Sequence, residues 1–297
     1  DSFGYGEVVK EAAVLEVPEN VELKDSKDYK IIGQDIKNVD IQKIITGKPL
    51  FGLDYVTEKM VYASVLRPPS FGKKLVSFDD QNSKKINGVV DVLKFGDKIA
   101  VLGTNTWAAM KGKKALICKW TSNTKLESTE DHNKELLKIL NGNKFKVNRE
   151  DGNIEKAFLN SDKNIERTYE SPFLPHNCME PMNFYAHVTP EKVHLVGPIQ
   201  TPAWTASKIS KLLNRKPEEI HLEMTRMGGG FGRRLYGDFA EEAAQISNIT
   251  KKPIKVVFSR EDDMTAGTYR PAIKYRIKAS IKDGEITGYH LKEAAIN

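Results

Sequence analysis

An α+β fold is predicted for this chain on three observations. First, period-two runs come in adjacent pairs around tight turns: residues 88–93 and 98–102 flank Gly96-Asp97, and residues 275–281 and 286–291 flank Asp283-Gly284. Second, helices are read at four places among these strands, over 106–115, within 123–152, and over 205–213 and 239–250. Third, residues 219–258 read in the order strand, glycine loop, helix, strand.

That third stretch organises the rest. Ile220, Leu222 and Met224 alternate with His221, Glu223 and Thr225, a strand pattern over 219–226. Met227-Gly228-Gly229-Gly230-Phe231-Gly232-Arg233-Arg234 follows. A helix is expected over 239–250, where Phe239, Ala243 and Ile246 share a face and Asp238 and Glu241 are spaced for a capping box. Residues 253–258 are a β-branched run of strand length. Successive glycines remove side chains where a backbone turns tightly or lets a ligand approach, and the loop amides can point at an anion. The two arginines add forked donors suited to phosphate. A cradle for a phosphorylated cofactor is the expectation, with a ligand-free turn as the alternative. The commoner cradles do not fit. No Lys-Ser or Lys-Thr pair follows the glycines, and a dinucleotide fingerprint would need glycine at Arg233 or at Leu235, depending on where the count begins.

The remaining elements follow in chain order. Residues 1–35 have little periodicity; Val14, Val17-Pro18 and Val21 suggest an extended approach segment lying on another protein surface. Residues 36–122 form a first α/β unit: strands at 59–67, 88–93, 98–102 and 116–120, and a short helix over 106–115 whose Gly112 is either interior or a cap. Residues 123–152 are a polar linker containing one helix, marked by Leu136, Leu137, Ile139 and Leu140, with Ser128 as its cap, Asp131 in its first turn and Gly142 past its end. Residues 153–297 form the second unit. It holds strands at 183–188 and 192–196, a helix over 205–213 capped by Thr205, the glycine loop, and the hairpin at Asp283-Gly284.

Composition excludes several functions. Net charge is +6 from 46 basic and 40 acidic residues, but the lysines fall in scattered pairs among carboxylates, which is a solvated surface and not a nucleic-acid patch. No apolar run reaches the length of a membrane span. Two cysteines, Cys118 and Cys178, cannot supply the four sulfurs of a structural zinc site or an iron–sulfur cluster. The six histidines show no i, i+4 pair, so a protein-ligated metal is not expected.

Gly228-Gly229-Gly230-Phe231-Gly232-Arg233-Arg234 with Asp238-Phe239-Ala240-Glu241-Glu242-Ala243-Ala244 resembles the cofactor loop of the molybdenum hydroxylases, the xanthine oxidase and aldehyde oxidase family. Met179-Glu180-Pro181-Met182-Asn183, Gly197-Pro198-Ile199-Gln200-Thr201-Pro202 and Ser259-Arg260-Glu261-Asp262-Asp263-Met264 agree with it. The similarity is greatest to the large subunit of isoquinoline 1-oxidoreductase-type enzymes. Thr46-Gly47-Lys48, Leu66-Arg67-Pro68-Pro69 and Thr106-Trp107-Ala108-Ala109 resemble the small hammerhead domain of that family. The resemblance therefore implies a hammerhead domain over 36–122, followed by the N-terminal part of a molybdopterin-binding α+β domain over 153–297.

Further expectations come with it. The cofactor is molybdopterin with molybdenum, the cytosine dinucleotide form being one option. Gln200 would hydrogen-bond a ligand of the metal, a task for which an amide can donate without bringing a charge. Gly229, Gly230, Phe231 and Gly232 would meet the cofactor through their backbone. Of Arg233 and Arg234, one would reach a pterin or nucleotide phosphate and the other a surface or core ion-pair partner; Arg233 is taken as the cofactor contact. His176 and Glu180 are read as structural. Leu235 stands where purine-oxidising relatives carry an acidic residue, so an apolar N-heterocycle or an aldehyde is favoured over xanthine. The family's catalytic glutamate lies near the C-terminus of a longer polypeptide and is not matched here. No catalytic residue is therefore assigned, and these residues alone are expected to be inactive. Partners are an iron–sulfur subunit and the rest of the large subunit. A twin-arginine leader is common in related subunits and leans the location towards the periplasm, with the cytoplasm as the alternative. The rival reading is a scaffold module that keeps the fold without turnover.

Overall fold

The computed structural model describes residues 2–122 and 126–296, and the ends of the expected approach segment, linker and second unit at Asp1, Asn123, Thr124, Lys125 and Asn297 lie outside them. The chain divides into two compact units, Asp1–Lys48 and Pro49–Asn297.

The first unit carries two short helices, α1 (Val9–Ala12) and α2 (Ile41–Ile45), and 3-10 turns at Tyr5–Glu7 and Ser26–Asp28. None of its described apolar side chains is buried, and Val14, Val17 and Val21 are exposed. The expected extended approach segment is thus partly helical, and the unit runs on to Lys48.

The second unit contains β1 (Val61–Leu66), β2 (Lys73–Asp79), α3 (Gln81–Lys84), β3 (Val89–Phe95), β4 (Lys98–Gly103), α4 (Thr106–Lys114), β5 (Ile117–Ser122), α5 (Thr129–Asn141) and α6 (Ile154–Leu159). It continues through β6 (Lys163–Ser171), β7 (Asn183–Val188), β8 (Val193–Gly197), α7 (Pro202–Leu213), β9 (Ile220–Met224), α8 (Asp238–Thr250), β10 (Ile254–Val257), α9 (Arg260–Thr265), β11 (Ala272–Lys282) and β12 (Glu285–Ile296). The α+β expectation holds: a mixed seven-stranded sheet in the order β3-β4-β1-β10-β7-β8-β9 is accompanied by a three-stranded sheet, β12-β11-β6, and the pair β2-β5.

The division anticipated near residue 122 does not interrupt the main sheet. β1 pairs in parallel with β10, Ala63 opposite Val256, which joins the two expected units through one hydrogen-bonded ladder. Charged bonds reinforce the join. Arg67 and Lys98 both reach the buried Glu242 of α8, and Lys113 of α4 donates to Asp262 of α9 at 2.6 and 2.7 Å. Such pairing across more than a hundred residues leaves no trace in local pattern.

Period two explains the core. Phe184, Ala186, Val193, Leu195, Ile254 and Val256 turn one face of the sheet towards Phe239, Ala243 and Ile246 of α8 and Ile209 of α7. Phe184 and Phe239 meet edge to face at 5.8 Å. The opposite face carries Tyr185, His187, His194, His221, Glu223 and Lys255.

Local expectations fare unevenly. Ser128 and Asp131 form the capping box of α5, whose Leu136 and Leu140 pack on Ala272 and Ala294. Gly112 is interior to α4, because an added Cβ would stand 2.6 Å from Val101 Cγ1. The helix placed at 205–213 starts at Pro202, whose fixed φ suits a first turn, and Thr205 is buried inside it. Asp238 does not cap α8; Gly237, at φ 68°, occupies that position while the Asp238 carboxylate is taken by Arg233. β6 has no counterpart in the sequence reading, because Lys163–Ser171 is mostly polar and exposed and shows no apolar alternation.

Candidate functional site

The glycine loop leaves the end of β9 and is tied down at each step. Gly228 N–H donates to Glu180 Oε2 at 2.8 Å, and Glu180 N–H returns to the Gly228 carbonyl at 3.0 Å. Beneath the loop, Arg234 donates from Nε to the Gly229 carbonyl and from Nη2 to the Glu180 carbonyl, both at 2.7 Å. The other oxygen of Glu180 accepts from Leu53 N–H at 3.1 Å and Asn183 Nδ2 at 2.9 Å. Glu180 is therefore a fastening, with both carboxylate oxygens engaged, as its structural reading expected. Buried Cys178 also lies under the loop, its Sγ 3.4 Å from the Gly230 carbonyl; burial pushes its thiol up, so it packs rather than attacks.

The loop's conformation demands its glycines. Gly229 and Gly232 have φ of 101° and 98°, and Phe231 sits between them at φ 51° with its side chain exposed. A non-glycine residue held in the left-handed region is strained and points to function. Among the described residues, the amides of Gly229, Gly230 and Phe231 have no protein acceptor, while those of Gly228, Gly232 and Arg233 are all used. Three adjacent donors are thereby left available to a ligand.

Gln200 borders the loop. Its own N–H is anchored on the Arg234 carbonyl at 3.1 Å, and its Oε1 accepts from Gly232 N–H at 3.1 Å. Since the oxygen must face that donor, Nε2 is the atom left to donate outward. A Cβ on Gly230 would stand 2.6 Å from Gln200 Oε1, so glycine is needed where the two meet. Gln200, Gly229, Gly230, Phe231 and Gly232 thus come together.

The Arg233 side chain does not join them. Both of its terminal nitrogens are bound by Asp238, at 2.6 and 2.9 Å, and only 2% of the residue is exposed. Arg234 is fully buried as well, so neither arginine offers its guanidinium to a phosphate. A buried guanidinium needs acceptors inside the protein: Asp238 takes both terminal nitrogens of Arg233, and the Gly229 carbonyl and Glu180 take Nε and Nη2 of Arg234, while Arg233 Nε and Arg234 Nη1 have no partner among the described residues. Burial alone would raise the Asp238 carboxyl, but the Arg233 hydrogen bonds and charge outweigh it and hold that carboxyl below the usual range.

Two further groups border the loop. His176 Nε2 lies 3.4 Å from where a Gly232 Cβ would be. Burial, with the charges of Arg233 and Arg270, depresses its pKa and keeps the imidazole neutral. An open cavity of about 450 Å³, lined by Phe71, Phe173, Tyr236 and Tyr269 among others, shares Tyr236 with the stretch after the loop.

Lys255 supports the segment that meets Glu180. It is buried and donates to the Leu53 and Tyr55 carbonyls, each at 2.8 Å, and burial lowers its pKa to about 8. Between pH 8 and its ordinary value the unfolded chain keeps a proton that the folded protein has released, so this group makes stability rise with pH across that window, by about 3 kcal/mol. Urea unfolding from pH 7 to 10 checks this: wild type should gain stability relative to Lys255→Met as pH rises, and a constant difference would contradict it.

The site's chemistry is that of neutral donors around a glycine floor, and it fits a pterin cofactor whose metal ligands accept hydrogen bonds. Residues 137–295 match the molybdopterin cofactor-binding domain, and the chain belongs to this family, the molybdenum hydroxylases. Among curated proteins it is 28% identical over 288 residues to the membrane-bound aldehyde dehydrogenase [pyrroloquinoline-quinone] of Gluconacetobacter polyoxogenes, covering 92% of this chain and 37% of that protein. It is 26% identical over 276 residues to isoquinoline 1-oxidoreductase subunit beta of Brevundimonas diminuta, covering 88% and 35%. The chain therefore spans little more than a third of the length of these relatives. Its fold is that of quinoline 2-oxidoreductase from Pseudomonas putida 86, at a TM-score of 0.66 and 14% identity over 87% of this chain and 38% of that one.

Proposed function

We propose that the chain is part of the molybdopterin-binding subunit of an oxidoreductase that hydroxylates an N-heterocycle or an aldehyde with oxygen from water. The observation that carries this reading is the set of free amides at Gly229, Gly230 and Phe231 beside the outward donor of Gln200, inside a matched cofactor domain. When bound, the molybdenum–pterin group supplies the redox chemistry. Gln200 Nε2 donates to it without adding charge, and the three amides hold its polar edge. Glu180 and Arg234 keep this donor set fixed, so little reorganisation accompanies binding.

The related proteins carry names of both substrate classes, an aldehyde and isoquinoline. Leu235 and the aromatic lining of the nearby cavity suit an apolar aromatic ring better than a purine. A partner iron–sulfur subunit that takes the electrons away is part of the proposal; within these residues Cys118 and Cys178 are too few to hold a cluster. A cytosine dinucleotide pterin and a periplasmic location complete the proposal. Turnover of the full-length subunit with its partner in ¹⁸O-water on isoquinoline, whose ring carbon carries no exchangeable oxygen as an aldehyde carbonyl does, tests the reaction. Product carrying one labelled oxygen is expected, and unlabelled product would rule this reaction out.

A further inference from the structure

A second polar constellation lies on the face of the main sheet opposite the one packed against α7 and α8. Register places His187 opposite His194 across β7 and β8, and His194 opposite His221 across β8 and β9. Glu223 follows His221 by two residues and shares its face. Its Oε1 is 2.7 Å from His194 Nε2 and 3.2 Å from His221 Nε2. One donor atom from each of these three side chains lies within 4.8 Å of the others. Tyr185 stands edge-on to the His194 ring at 5.7 Å, and the His221 ring lies 5.6 Å beyond it.

We propose that His194, His221 and Glu223 bind one divalent transition metal of the zinc class, with solvent completing its coordination. Two imidazoles and a carboxylate are the donor types such ions take, and an ion with bonds of about 2.0–2.1 Å spaces tetrahedral donors by about 3.3 Å. One of the three separations, 3.2 Å, already lies close to that value, and the others, 2.7 Å and within 4.8 Å, reach it by side-chain movements of an ångström or so in this partly exposed group. His194 is mostly covered and oriented by Tyr185, whereas Glu223 and His221 are half to two-thirds exposed, which leaves room for water and a route for the ion. Without a metal, the array is a half-exposed carboxylate shared by one mostly covered and one exposed imidazole, an arrangement that adds little stability. With one, β9, the edge strand of the sheet and the lead into the glycine loop, is clamped to β8. Hard cations such as Mg²⁺ prefer all-oxygen shells and would not compete.

Cobalt(II) titration of the chelator-treated full-length protein tests this without reference to the molybdenum site. One equivalent is expected to bind with visible absorption, to be displaced by zinc and to be unaffected by magnesium. His221→Ala and Glu223→Gln should each weaken binding by more than about 100-fold, the upper end of what loss of a mere supporting contact costs, while His290→Ala on β12 should not. Both variants alter side chains more than half exposed, so the metal-free proteins should unfold at the wild-type temperature. No cobalt binding at micromolar concentrations, or binding indifferent to His221→Ala and Glu223→Gln, would overturn the proposal.

Discussion

Replacing Glu180 with alanine is expected to destabilise the protein by about 3–5 kcal/mol, the range found when one partner of a buried charge pair is removed. Four donors converge on this carboxylate: the amides of Leu53 and Gly228, Asn183 Nδ2 and Arg234 Nη2. Truncation would leave Arg234, which has no exposed surface, without its carboxylate and would free both the glycine loop and the segment around Leu53. Urea unfolding of the full-length subunit measures the effect. A cost below about 1 kcal/mol, the worth of an exposed pair, would mean that Glu180 does not fasten the loop.

Gly230→Ala is expected to act on the cofactor and not on the fold. The added methyl would drive into Gln200 Oε1, turning the amide away from Gly232 N–H and moving its free Nε2. Overpacking of this kind costs about 1–3 kcal/mol, within what a large subunit tolerates. Pterin retention should nevertheless fall at least about tenfold, the equivalent of one lost hydrogen bond of ordinary strength. Gly6→Ala, where nothing lies within 4 Å, is the matching control and should change neither property. Wild-type pterin content in a folded Gly230→Ala protein would place the cofactor elsewhere.

How far the sequence reveals this molecule depends on the range of the interaction. Period two in β7 and β8, the capping box of α5 and the turn at Asp283-Gly284 are local, and each forms where the pattern puts it. The tight turn of the glycine loop is local too, since the positive φ at Gly229 and Gly232 is what repeated glycine provides. Non-local pairing was not. The parallel ladder between β1 and β10 unites what composition suggests are separate units, since strand partnership is decided by packing rather than by the strands' own residues. Asp238 shows the same competition at one residue. Its spacing suits a helix cap, but a buried arginine five residues upstream offers two charge-assisted bonds and takes the carboxylate instead. His194 and His221 are far apart in sequence and adjacent only through the β8–β9 register, so a search for helix-spaced ligands passes over them.

The central claim is that Gln200 and the amides of Gly229, Gly230 and Phe231 hold a molybdenum–pterin cofactor. Its most direct test is the molybdenum and pterin content of the full-length subunit, purified after co-expression with its neighbouring genes in a host that makes the cofactor. Close to one of each per subunit is predicted. A well-folded preparation holding neither would contradict the claim.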